Sequence, residues 1–151
     1  MESPREDGVR ELIAALDAYQ SSLYPPASNH FLDLEQLSRA DIRFFVARRA
    51  GKPLACGALR VDASGYGEVK RMYVAPEARG RGVARRLLAA LEAEAADLGY
   101  ARMILETATG QPEAMALYES AGWTSIPNFG AYEASSLSRC YEKLVSPPSL
   151  A

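Results

Sequence analysis

The stretch "VAPEARGRGVARRLL", residues 74–88, decides the fold, because the periodicity of the chain changes across it. The segment "EVKRMYV" (68–74) alternates in the manner of a β-strand, whereas apolar residues recur at helical spacing from Val83 to Leu98. A second strand, "ARMILET" (101–107), follows. A strand, helix, strand crossover of this kind makes the two strands parallel. The loop then lies at the carboxyl end of the first strand, where α/β proteins bind ligands.

The composition of this loop is suited to an anion. A helix N-terminus presents unpaired N–H groups and the positive end of the helix dipole. Gly80 and Gly82 allow the backbone to approach a ligand closely, and Arg79 and Arg81 add charge for a polyanion such as a pyrophosphate. The Walker and Rossmann glycine patterns are both unmatched. Taken alone, the stretch is equally compatible with an exposed, arginine-rich turn.

The composition of the chain excludes several classes of protein. Its 151 residues suit one domain, and a net charge of −2 argues against a general nucleic-acid surface. Cys56 and Cys140 are far apart and only one histidine is present, which argues against a zinc site. No apolar run is as long as a membrane span, and the start has no signal-peptide core. We expect a cytoplasmic protein with one domain over 1–145, a flexible tail over 146–151, no metal, and no nucleic-acid or membrane partner.

The remaining chain predicts an α+β fold. An apolar stripe from Val9 to Tyr19 indicates a first helix, and a capping box opening at Asp33 predicts a short second one. The strands "DIRFFVARR" and "KPLACGALRV", joined at "AGKP", form an antiparallel meander with 68–74. Within 68–74, alternation predicts Val69, Arg71 and Tyr73 on one face of the sheet. A helix from Pro112 and the strands "WTSI" and "LSRCYEKLV" complete the chain.

Two motifs resemble those of one family, the Gcn5-related N-acetyltransferases (GNAT). Residues 74–88 resemble its coenzyme A loop, R/Q-x-x-G-x-G/A, with Arg79, Gly82 and Ala84 at the fixed positions. The segment "QPEAMALYESAGW" (111–123) resembles its A-x-x-L-Y-x-x-x-G-F helix, matched by Ala114, Leu117, Tyr118, Gly122 and Trp123. The resemblance implies a mixed central sheet of six to seven strands with a splayed parallel pair, and about four helices. Two departures are a poorly apolar start, where the family has a strand, and the lack of an asparagine near Gln111.

The resemblance implies transfer of an acetyl group from acetyl-CoA to a primary amine of a small molecule or peptide, by direct attack within a ternary complex. The backbone near Met72 and Val74 would hold the pantetheine arm and polarise the thioester carbonyl. The residues implied to bind the cofactor are Met72, Val74, Arg79, Gly80, Arg81, Gly82, Val83, Ala84 and Gln111.

Two residues, Glu68 and Tyr118, are implied to be catalytic. Glu68 stands in the register of the catalytic glutamate of histone-acetylating members, and Glu106 is a second candidate for the base or for an amine anchor. Tyr118 matches the tyrosine that donates to the sulfur of the leaving thiolate. Reference pKa values of about 10 for tyrosine and 8.5 for a thiol make full proton transfer uphill by roughly 2 kcal/mol. Tyr118 is therefore described first as a hydrogen-bond donor.

The acceptor side is assigned to two segments, "LYPPASNHF" and "IPNFGAYEASSLS". Their candidate pocket residues are Tyr24, Asn29, His30, Phe129 and Tyr132, each of which has a purely structural alternative. A non-catalytic acyl-CoA sensor would share every loop residue, and RNA binding through the arginines is a third, less favoured interpretation. The resemblance is also compatible with a homodimer.

Overall fold

A six-stranded sheet organises the computed structural model of the protein, which describes residues 8–23, 41–61, 65–109, 111–129, 133 and 136–145. Its elements are α1 (Val9–Leu23), β1 (Ile42–Arg49), β2 (Lys52–Val61), β3 (Gly67–Val74), α2 (Val83–Asp97), β4 (Arg102–Ala108), α3 (Pro112–Ser120), β5 (Thr124–Ile126) and β6 (Ser138–Leu144). The strand order is β1–β2–β3–β4–β6–β5; β3 and β4 are parallel, and the other described neighbours are antiparallel.

This architecture agrees with the predicted mixed sheet of six to seven strands. The described residues contain three α-helices, one fewer than expected. The helix predicted to open at Asp33, the first seven residues and the tail 146–151 all lie outside the described part of the chain.

Apolar side chains form a core on each face of the sheet. On one face, the predicted stripe of α1 packs against β1 and β2, with Val9, Leu12, Ile13 and Leu16 all buried. On the other face, α2 packs on β1, β2 and β3, and its buried Leu88, Leu91 and Ala95 belong to a core cluster that extends to β4 and β6. The sheet is therefore the middle layer of the described fold, with its strand ends reaching the loops on either side.

A β-bulge in β3 corrects one prediction. Opposite Gly57 of β2 the register places two residues of β3, Arg71 and Met72. Arg71 has a φ of 57°, a left-handed conformation that costs a non-glycine residue on the order of 1 kcal/mol or more. Because the bulge inserts one residue, Val69 packs with α2 whereas Tyr73 packs with α1. Arg71 also points to α1, where it contacts Asp17, so the predicted alternation of 68–74 is wrong from Arg71 onward.

The parallel pair β3–β4 separates soon after it begins. Pairing runs over three residues, from Gly67 opposite Met103 to Val69 opposite Leu105. Beyond this point β3 continues to Val74, along the bulge, while β4 instead pairs with β6 on its other side. The predicted splayed parallel pair is confirmed, and it leaves a gap between the two strands.

Candidate active site

A cavity of about 530 Å³ opens at the gap between β3 and β4. It lies between the end of β3, the start of α2 and the helix α3. Its described lining residues are Met72, Tyr73, Val74, Ala78, Arg79, Gly80, Gly82, Val83, Ala84, Arg85, Gln111, Pro112, Glu113, Ala114, Leu117 and Tyr118. Eight of the nine predicted cofactor residues and the predicted Tyr118 are thus brought to one cavity, whose size is that of a small-molecule site.

The glycine loop turns the chain from β3 into α2. Gly80 and Gly82 have φ values of 79° and 75°, which glycine adopts without strain. Gly82 is the N-cap of α2, and no described side chain caps this terminus. The N–H groups of the first helical turn, beginning with Val83 and Ala84, therefore face the cavity with the positive end of the helix dipole. Backbone groups in this arrangement are suited to an anion.

The arginines of the loop have separate partners. Arg79 donates from Nε to the carbonyl oxygen of Val74 at 3.0 Å, and its guanidinium lies 5.7 Å from the ring centre of Tyr73. Arg85 reaches across the cavity and donates to Ser120 Oγ at 2.6 Å, which links α2 to α3. Arg81 is the predicted cofactor residue whose side chain does not line this cavity; it lines a neighbouring one of about 620 Å³.

The edge of β3 presents backbone groups to the gap. The N–H of Ala75 donates to Leu54 of β2 at 2.8 Å, so the N–H and C=O of Val74 point the other way, because neighbouring residues of a strand alternate. The carbonyl of Val74 is the acceptor used by Arg79. At the opposite wall, Gln111 is the N-cap residue of α3 and accepts a 2.9 Å hydrogen bond from Thr107 Oγ1 at the end of β4.

Tyr118 is held in an aromatic cluster at the inner end of the cavity. Its ring centre lies 6.2 Å from that of Trp123 and 6.0 Å from that of Tyr141. The residue is buried, and burial, followed by the negative charge of Glu106, raises its pKa to about 12. The phenol is therefore neutral at physiological pH and keeps its proton as a donor.

Glu68 lies in the paired part of the strands and has two cationic neighbours. Its carboxylate is 3.5 Å from Arg60 of β2 and 3.3 Å from Lys70, two residues further along β3. Glu68 is 4% exposed, so these ion pairs are largely removed from water. A buried carboxylate of this kind requires such partners, which gives Glu68 a structural role in addition to any chemical one.

Glu106 occupies the part of β4 that lies beyond the parallel pairing. It is half-buried and accepts a 2.8 Å hydrogen bond from Ser138 Oγ of β6. Burial is the main cause of a raised pKa at the neighbouring Cys140, and the charges of Glu106 and Glu68 raise it further, while a hydrogen bond from the backbone of Phe129 lowers it. The two carboxylates and the backbone of Phe129 therefore surround one thiol.

The other predicted acceptor residues, Tyr24, Asn29, His30 and Tyr132, lie outside the described residues. Sequence reasoning missed several residues that line the cavity, among them Tyr73, Ala78 and Glu113. Tyr73 was missed because the bulge moves it to the other face of the sheet. Glu113 could have been found from its place in the first turn of α3, next to Pro112.

Two further observations bear on binding partners. Within the ranges given above, no helix has the length and apolar character needed to cross a membrane. The same ranges contain no group of three or more His, Cys, Asp or Glu side chains arranged to hold a metal ion.

Known proteins match the chain over most of its length. The model of the acetyltransferase (GNAT) family matches residues 10–123. A protein of Azospirillum brasilense named an IAA acetyltransferase is 48% identical over 143 residues, which are 94% of each chain. The structure of a Klebsiella pneumoniae protein assigned as an acyl-CoA N-acyltransferase is 35% identical, with a TM-score of 0.83 and coverage of 95% of this chain and 94% of that one.

A more distant likeness concerns the fold alone. The N-acetylglutamate synthase of Neisseria gonorrhoeae, whose structure holds coenzyme A and N-acetyl-glutamate, is 18% identical with a TM-score of 0.74. The match covers 95% of this chain and 34% of the synthase.

Proposed function

From the premise that the chain belongs to the acetyltransferase (GNAT) family and is an acetyl-CoA-dependent acetyltransferase, we propose that it acetylates a primary amine of a small molecule or peptide. In this proposal the amine attacks the thioester directly, within a ternary complex. The observation that carries it is the gap between β3 and β4, which joins a backbone anion site to a buried tyrosine hydroxyl.

The described residues fit coenzyme A as the acyl donor. The N–H groups at Gly82 to Ala84 would bind the pyrophosphate, and Arg79 and Arg85 would add positive charge beside it. The pantetheine arm would lie against the edge of β3, where the N–H of Val74 faces the gap. Gln111 closes the opposite wall. The chain thus supplies backbone donors where coenzyme A carries phosphates and amides.

Tyr118 would stabilise the leaving thiolate. Its hydroxyl lies at the inner end of the cavity, in a buried site where a hydrogen bond to a developing charge is strong. With a pKa of about 12, the phenol is a poor source of a fully transferred proton for a thiolate whose reference pKa is about 8.5. We assign it the role of hydrogen-bond donor.

The base that accepts the proton of the amine has two candidates. A base is useful because an amine with a pKa of about 10.4 is almost entirely protonated at pH 7. Glu68 would accept a proton only by weakening its ion pairs with Arg60 and Lys70. Glu106 stands beside the open part of the gap, with Ser138 donating to it. These contacts favour Glu106 as the base, acting directly or through water, and give Glu68 a structural role.

Two variants separate these roles. Glu106→Gln keeps the shape of the side chain and its hydrogen bond from Ser138 but removes the base, so we expect kcat to fall about 100-fold. Glu68→Gln should lower the melting temperature, because it leaves Arg60 and Lys70 without their carboxylate, and it should lower kcat less. A larger loss of kcat in Glu68→Gln, at a temperature where both variants are folded, would return the role of base to Glu68.

The acceptor region combines negative charge with a partly apolar border. Glu106 would attract a cationic amine before it loses its proton, whereas the charge of Glu68 is offset by Arg60 and Lys70. Phe129 is half-buried at the adjoining loop, with its backbone bound to Cys140. An amine on a short organic body fits this chemistry better than a large anionic surface does.

The proposal is tested in two steps, first binding and then turnover. Acetyl-CoA at millimolar concentration should raise the melting temperature of the protein. A panel of amines should then be tested for thiol release: polyamines, amino acids, aminoglycosides, and peptides with free lysine or amino-terminal amines. IAA belongs in the panel because the curated relative is named for it. Binding without turnover across the panel would favour the alternative of a non-catalytic acyl-CoA sensor, and absence of binding would contradict both.

A further inference from the structure

The bulged residue of β3 forms a part-buried ion pair with the helix α1. Arg71, the residue with the left-handed backbone, has a side chain with no exposed surface. Its Nη2 contacts Oδ1 of Asp17 on α1. The side chain of Asp17 is 45% exposed, so the pair connects the surface of α1 to the interior of β3. A buried guanidinium is stable only when it is paired in this way.

A second contact fixes the backbone of the same residue. Cys56 of β2 donates from Sγ to the carbonyl oxygen of Arg71 at 3.3 Å. Burial is the main cause that raises the pKa of Cys56 to about 12, so this thiol keeps its proton and remains a donor. Gly57 follows in β2, and a Cβ there would lie 2.5 Å from Met72 Sδ. The neighbouring strand is thus shaped to accept the bulge on both sides of Arg71.

The position of the bulge matters for the cofactor cavity. The three residues that follow Arg71, from Met72 to Val74, all line it. Their side-chain directions and hydrogen-bonding edge are reversed relative to a strand without the inserted residue. A regular β3 would turn the N–H of Val74 towards β2 and away from the gap. The left-handed backbone of Arg71 is therefore a condition for the geometry of the cavity.

We propose that Asp17 and Arg71 are positioning residues for acetyl-CoA, because their ion pair holds β3 in the bulged form that presents Val74 to the gap. Neither side chain touches the reacting atoms. The inference rests on the proposed function, since it concerns binding at the same cavity. It also gives α1 a part in cofactor binding, although the described residues of α1 do not line the cavity.

The decisive variant is Asp17→Asn, which removes the charge and keeps the shape of the side chain. If the bulged form then falls to about a tenth of the population, the dissociation constant for acetyl-CoA should rise about tenfold. The Michaelis constant for the amine should change less than twofold. Asp17→Glu, which keeps the charge, should restore most of the affinity. Amide hydrogen exchange of Val74 should slow in Asp17→Asn, because a regular β3 turns this N–H towards β2.

A matched control is the ion pair of Arg102 and Glu142, which joins β4 to β6 at 2.7 Å and lies outside the cavity lining. Glu142→Gln should lower the melting temperature with no change in acetyl-CoA affinity. Equal dissociation constants for Asp17→Asn, Glu142→Gln and the wild type would overturn the inference. If the wild type itself bound no acetyl-CoA, the proposed function would fail instead, so the two failures are distinguishable.

A second experiment tests Asp17→Asn in another background, so the inference does not depend only on the stability of that single variant. Arg71→Gly accepts a positive φ without strain, so it should keep the bulge without the ion pair. In that background, Asp17→Asn should change the dissociation constant for acetyl-CoA less than twofold. A tenfold change in both backgrounds would contradict the inference, because Asp17 would then act on the cofactor by another route.

Discussion

Replacement of Tyr118 by phenylalanine tests the chemistry of the cavity directly. The change removes one hydroxyl and keeps the ring, which packs between Trp123 and Tyr141 with centre distances of 6.2 and 6.0 Å. The fold should therefore survive, with a melting temperature within a few degrees of the wild type. Affinity for acetyl-CoA should also survive, because the proposed phosphate-binding groups are those around Gly82, in a different part of the cavity lining.

The expected loss of rate follows from the pKa of the phenol. Burial, with a further contribution from Glu106, raises the pKa of Tyr118 to about 12, whereas the leaving thiol has a reference pKa of about 8.5. Each unit of pKa difference corresponds to about 1.36 kcal/mol, so full proton transfer from Tyr118 to the thiolate would cost about 5 kcal/mol. A hydrogen bond to the developing thiolate is worth about 1.5–3 kcal/mol. We therefore expect kcat to fall about 10- to 150-fold in Tyr118→Phe.

The assay is steady-state release of free coenzyme A from acetyl-CoA with the best amine of the panel. Tyr141→Phe is the matched control, since it removes a neighbouring hydroxyl that donates to Glu119 at 3.0 Å, outside the cavity lining. Its kcat should stay within about twofold of the wild type, because this polar contact lies outside the cavity lining. The kcat profile of the wild type should show no inflection from Tyr118 below pH 10, because the phenol remains neutral there.

Two results would refute this reasoning. Equal kcat values for Tyr118→Phe and the wild type, with a folded variant, would remove the hydroxyl from the mechanism. A fall in the kcat of the wild type near pH 9 that disappears in Tyr118→Phe would indicate a phenol with a much lower pKa, and hence full acid catalysis.

Three further predictions concern the glycine loop and the thiols. Gly82→Trp should abolish the thermal shift with acetyl-CoA, whereas Gly51→Trp, with the same open surroundings and a φ of 82°, should cost similar stability and leave the shift intact. Cys56 and Cys140 are buried and their pKa values are raised, so a chromogenic disulfide reagent should detect them only after unfolding in urea. The pKa of Cys56 rises from 9.0 to about 12 on folding, so its contribution is complete below pH 9 and is lost as the pH rises towards 12. In urea titrations of the wild type, this thiol should lower the free energy of unfolding by about 4 kcal/mol as the pH rises from 9 towards 12. In Cys56→Ala this part of the decrease should be absent.

The sequence predicted the loop and the helix that line the cavity because the information there is local. A change from strand to helix periodicity places the loop, and Gly80 and Gly82 specify a backbone that only glycine adopts freely. The motif around Tyr118 lies on one helix, so its spacing survives folding unchanged. Where a residue acts through its own backbone or lies on one helix with its neighbours, its placement can be predicted from the sequence alone.

The bulge could not be predicted in the same way. It depends on Gly57 in β2, on Cys56 beside it, and on Asp17 in a helix that precedes both strands. The sequence of 68–74 gives no sign that its strand alternation is interrupted, and an arginine at position 71 does not predict a positive φ. The direction of every later side chain in β3 depends on that one residue, so a local rule fails at the point where distant contacts choose the backbone.

The same distinction explains why a position in a motif does not fix a chemical role. Glu68 was predicted as the first candidate base from its register before the loop. Its neighbours come from strand pairing, however: Arg60 is its direct partner in β2, and Lys70 is two residues along on the same face. Accepting a proton would weaken both ion pairs, which favours a structural role for Glu68 over removal of the proton from the amine. Once the pairing of β2 with β3 is known, Glu106 becomes the better candidate for the base, because it lies where the strands have separated.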